Sequence, residues 1–120
     1  MRASTVVASL LVLAAISCSS KSSTPESCPN DLPEACPTTG APSYAQTIAP
    51  IFEARCKTCH REGGQASGKT FDTYDRVFTD RRAILNQVYS CSMPPSSGEA
   101  LSAEERGALL NWFVCGAPDN

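Results

Sequence analysis

The stretch Cys56-Lys57-Thr58-Cys59-His60 constrains the fold of this chain more than any other feature. His60 is the only histidine, and it stands directly behind two cysteines spaced C-x-x-C. The preceding residues put the motif on a defined surface. In YAQTIAPIFEARCKTCH, Ile48, Ile51, Phe52, Cys56 and Cys59 recur at helical spacing, so both sulfurs share a face with large apolar side chains. Pro50 has no backbone donor and is expected to kink or restart that helix. A Gly-rich loop, REGGQASGK, follows, then a short turn in TYDRVF. DRRAILNQVY reads as a helix with Asp80 near its N-cap and with Ile84, Leu85 and Val88 on one face. CSMPPSSG is a loop, because two adjacent prolines forbid helix. The last helix opens on a capping box, Ser102 and Glu105, turns Leu109, Trp112 and Phe113 inward, and stops at Gly116 and Pro118. No strand alternation and no repeat is present. The expected fold is therefore all-α, with about three helices and long loops in a body running from residue 44 to 120. Apolar burial alone stabilises so small a body poorly, and its long loops point to something apolar and sizeable at the centre.

The chain start reads as a secretory signal over residues 1–17: Arg2, an apolar run from 6 to 16 (VVASLLVLAAI), then Ala15-Ile16-Ser17 for cleavage. The run is too short to span a bilayer as a stable helix. LAAISC resembles the lipobox of bacterial lipoproteins, with Ala15 where that family prefers leucine. The resemblance implies a diacylated Cys18 as mature N-terminus, anchorage at a membrane surface and, from Ser19, sorting to the outer membrane. Ordinary cleavage at the same bond is the rival. Residues 18–43 hold five of the nine prolines and almost no large apolar side chain, so they are expected to form an extended or disordered tether.

Export to an oxidising compartment favours disulfides. The seven cysteines then divide: Cys18 for lipid, Cys56 and Cys59 for the motif, and Cys28, Cys36, Cys91 and Cys115 for two bridges. Cys28 and Cys36 are expected to close a small loop within the tether. Cys91 and Cys115 are expected to pair, stapling the loop after Cys91 to the last helix. Without the signal the chain keeps nine basic and twelve acidic residues, a balance that does not suit nucleic acid. Arg55, Lys57 and Arg61 cluster at the motif and could guide an acidic redox partner; the interleaved Glu53 and Glu62 favour an ordinary solvated face.

C-x-x-C-H is the attachment motif of haem c. Two thiols add to the two haem vinyl groups, two intervening residues let both reach, and the adjacent imidazole meets the iron. Electron-transfer haem often takes a methionine sulfur as second axial ligand. Met93 is the only methionine left once the signal is removed, and it lies in the rigid Met-Pro-Pro loop. Zinc would lack a fourth ligand, and a thioredoxin-like site would need strands.

At this point the chain resembles the class I c-type cytochromes over residues 44 to 118: I-x-P-I-F-x-x-R-C-x-x-C-H, a Gly-rich loop, a helix, M-P-P and a C-terminal helix ending W-F-V-C-G-A-P. The resemblance implies an all-α fold whose first and last helices cross and wrap one covalent haem. Cys56 and Cys59 would carry the thioethers, His60 and Met93 would bind iron, and the protein would pass single electrons between redox protein partners without being an enzyme itself. Many members have a proline soon after the motif whose carbonyl accepts the His ring N–H. Here no proline lies between His60 and Met93, so another carbonyl, expected in the 62–71 loop, must serve. Two other readings compete. One is a haem protein whose open iron binds a small ligand or reduces peroxide. The other is a haem-free, disulfide-stapled structural lipoprotein.

Overall fold

The computed structural model describes residues 28–120. The expected signal over 1–17, the expected lipidation site Cys18 and the expected tether as far as residue 27 lie outside the described residues. The described residues form helices joined by long loops, with no strand among them. The first helix, α1, covers residues 44–56 in three continuous turns: Tyr44–Ile48 with π geometry, Ala49–Ile51 with α geometry and Phe52–Cys56 with π geometry again. The widening has a local cause. Pro50 cannot donate to the carbonyl four residues back, and Ala49 N just before it reaches five back to Tyr44 O. Ile48 N bonds Ser43 O at 3.1 Å and Lys57 N bonds Phe52 O at 2.9 Å. The expected break at Pro50 is thus absorbed within one helix.

The second helix, α2, is Tyr74–Tyr89, capped by the Thr73 hydroxyl. The sequence reading split this stretch into a turn and a helix starting near Asp80. Thr73 is the better cap, and Asp80 lies within the helix, paired with Lys69 at 2.6 Å. The third helix, α3, is Ala103–Val114 with the full capping box at Ser102 and Glu105. The core gathers Ile48 and Phe52 from α1, Val77 from α2, and Leu109, Leu110 and Trp112 from α3. Ring packing of Tyr44 on Trp112, 5.6 Å apart, joins α1 to α3. The chain's last residue, Asn120, accepts from Tyr44 N at 2.8 Å and Ala45 N at 3.1 Å, satisfying amides that begin α1.

Both α2 and α3 end in the same six-residue signature. Cys91 N and Ser92 N bond back to Val88 O and Gln87 O; Gly116 N and Ala117 N bond back to Phe113 O and Trp112 O. The residue after each C-cap is left-handed. In α3 it is Gly116, φ 88, as the sequence suggested; in α2 it is Cys91, φ 56. A residue with a Cβ is held there at a cost of about 1 kcal/mol.

The disulfides correct the expected pairing. All four cysteines are bridged, but Cys28 joins Cys91 and Cys36 joins Cys115. Pro29, Pro33 and Pro37 favour extended chain, which opposes closing a short Cys28–Cys36 loop. The segment from 28 to 36 runs instead from the end of α2 to the end of α3, fastened at both. Its Asp31 forms a two-pronged pair with Arg106, Nε to Oδ2 and Nη2 to Oδ1, each 2.8 Å. This part of the expected tether therefore belongs to the folded body.

Candidate functional site

Cys56 closes α1, and the motif continues as a tight turn: Cys59 N and His60 N both bond Cys56 O, at 3.2 and 2.9 Å. The Gly-rich loop then folds back on the motif. Ala66 N bonds Cys59 O at 3.0 Å, and Phe71 N bonds His60 O at 3.1 Å. Gly64 makes that approach possible, because a Cβ there would lie 2.3 Å from Cys59 O.

The His60 ring is fixed on two sides. Its Nδ1 lies 2.8 Å from Lys69 O, and the Phe71 ring stacks on it with centroids 4.5 Å apart. A carbonyl only accepts, so Nδ1 is the donor of this bond, and in the neutral ring that tautomer leaves the lone pair on Nε2. Lys69 O supplies the acceptor expected from the 62–71 loop.

A cavity of about 730 Å³ brings the sequence-predicted residues together: Cys56, Cys59, His60 and Met93 all line it. Phe52, Ile84 and Leu109 contribute apolar wall. That volume falls in the range of small-molecule and cofactor sites. Met93 reaches the cavity from the loop after α2 and is 39% exposed. Its amide bonds Gln87 O at 3.0 Å, which hangs the loop from the last turn of α2.

Cys56 and Cys59 are the cysteines among the described residues that form no disulfide. Burial, with a contribution from the Glu105 charge, pushes the Cys56 thiol up to about 12. A buried thiol that resists ionisation is a weak nucleophile for disulfide exchange. Among the described residues no three His, Cys, Asp or Glu side chains converge as a group that could hold a metal ion. The donors that do meet are two thiols, one imidazole and one thioether beside apolar wall. Two thiols could hold a haem covalently, and one nitrogen and one sulfur could bind its iron.

The charges around the motif are largely spent within the protein. Arg55 pairs with Glu99 and donates from Nε to both Glu105 oxygens, at 3.0 and 3.1 Å. The Ser102 backbone N–H and then Arg55 hold the Glu105 carboxyl below its usual range. Lys57 pairs with Glu53. Arg61 forms no ion pair within the described residues.

Sequence reasoning missed Arg106. It is 8% exposed and lies with Leu109, Leu110 and Phe113 on the inward face of α3. Besides Asp31 it donates to Val88 O at 2.5 Å and Tyr89 O at 3.1 Å, the terminal carbonyls of α2. The available signal was a lone arginine at i, i+3, i+4, i+7 spacing within an apolar stripe. No family model, curated protein or solved structure matches the chain.

Proposed function

We propose that the protein is an exported, membrane-tethered monohaem cytochrome c that carries single electrons between redox protein partners. One observation carries the reading. The cavity is lined at once by the two unbridged cysteines, the only histidine, and the only methionine left after removal of the signal. Bound haem would supply a one-electron iron couple that no side chain of this chain provides. Cys56 and Cys59 would hold it covalently, and His60 and Met93 would bind its iron. The bond from His60 Nδ1 to Lys69 O would orient the imidazole and raise the basicity of Nε2. Phe52, Ile84 and Leu109 would keep water from the iron and favour its less charged form. Met93 sulfur would raise the potential further. No substrate is transformed, so the protein is a carrier and not an enzyme by itself.

The test is a denaturing gel of protein matured in cells able to attach haem c, stained for haem peroxidase activity. A stained band at the protein's mass, absent in Cys56→Ala/Cys59→Ala, supports the reading. An unstained wild-type band refutes it and leaves the disulfide-stapled structural lipoprotein. The ferric spectrum then separates a low-spin carrier from an open, high-spin iron that binds small ligands.

A further inference from the structure

We infer that residues 28–36 act as a strap positioning the Met93 loop, and that the Asp31–Arg106 pair is its clasp. The inference rests on the axial role proposed for Met93.

Three attachments converge where α2 gives way to that loop. Cys91, two residues before Met93, is bridged to Cys28 at the start of the strap. It occupies the left-handed position at the helix end, φ 56, so the bridge fixes the residue that sets the direction of the loop. Arg106 from α3 donates to Val88 O and Tyr89 O in the last turn of α2, where the helix dipole favours a cation. Ser92 N and Met93 N both hang from Gln87 O in that same turn, at 2.9 and 3.0 Å.

A buried guanidinium needs a counter-charge, and Asp31 supplies it bidentately. Removing that charge leaves Arg106 undercompensated and free to draw away from the α2 carbonyls. The turn that carries Ser92 and Met93 then loosens. A thioether is a weak iron ligand held by its surroundings, so loop freedom translates into weaker ligation. Arg106 and Asp31 thus act on the site through the loop, without lining the cavity.

The test uses the full mature chain as wild type and Asp31→Asn. This isosteric change removes the charge and one of the two accepting oxygens, and it leaves both disulfides to hold the fold. Amide hydrogen exchange should rise at least tenfold at Ser92 and Met93, equivalent to about 1.4 kcal/mol. The Ile48 and Leu109 amides should be unchanged. In the ferric protein, imidazole competing for the position of Met93 should bind at least tenfold more tightly to Asp31→Asn. Equal acceleration at all four amides, or none at Ser92 and Met93, overturns the strap. Local acceleration with unchanged imidazole affinity overturns its role in positioning the ligand. If wild type carries no haem, the proposed function falls, and the exchange result alone decides whether the strap holds the loop.

Discussion

Gly64→Ala tests how closely the Gly-rich loop must approach the motif. The new methyl carbon would stand 2.3 Å from Cys59 O, 3.0 Å from Cys59 C and 3.1 Å from Arg61 O. All three are backbone atoms, so no side chain can swing aside, and the backbone must shift by about 1 Å to restore an ordinary contact. Forced overpacking of this kind costs about 1–3 kcal/mol. The carbonyl that must move also accepts Ala66 N at 3.0 Å, and losing that bond adds about 1 kcal/mol. The expected loss is therefore about 2–4 kcal/mol, read as a lower denaturant midpoint at constant slope. Gly68→Ala is the control within the same loop: its Cβ would meet nothing within 4 Å, so stability should stay within about 0.5 kcal/mol of wild type. Because Cys59 directly precedes His60, Gly64→Ala should also lower the yield of haem-loaded protein. Equal midpoints for the two variants would refute the argument that the loop is pressed onto the motif.

Other outcomes follow from the strap and the chain start. Non-reducing peptide maps should return Cys28 linked to Cys91 and Cys36 linked to Cys115; a Cys91–Cys115 peptide would contradict the fold. Separations of 63 and 79 residues give about 4 kcal/mol of loop-closure entropy for each bridge broken singly, measured by denaturation of the paired serine variants. The Arg106 hydrogen bond holds the Asp31 carboxyl below its usual range. Its stabilising contribution is present above the unfolded carboxylate pKa and is lost as pH falls through the lower folded value. Stability of Asp31→Asn should therefore fall less steeply than wild type below about pH 4. Cys18→Ser should move the protein from membrane to soluble fractions, and an already soluble wild type would contradict anchoring.

What the sequence made legible was local. The capping box at Ser102, the stop at Gly116 and the inward face with Leu109, Trp112 and Phe113 each follow from a pattern a few residues wide. The clustering of Cys56, Cys59, His60 and Met93 around one cavity was expected because the haem reading uses all four at one site. The disulfide partners were not legible. Four cysteines permit three pairings, and only the packed positions of the α2 and α3 ends select one. Residues 28–36 look like tether by composition because their attachment depends on two sulfurs and one carboxylate, with little apolar side chain. Likewise α2 seemed to begin at Asp80, an acidic residue suited to an N-cap, whereas Thr73 caps it about two turns earlier.

The central claim is that Cys56 and Cys59 hold one haem. Intact-mass measurement of the mature protein, from cells with a working haem c maturation system, tests it most directly. The account predicts the polypeptide mass plus a single haem, with the increment carried by the peptide containing Cys56 and Cys59 after digestion. A mature chain at bare polypeptide mass, with both thiols free to alkylate once unfolded, would contradict it.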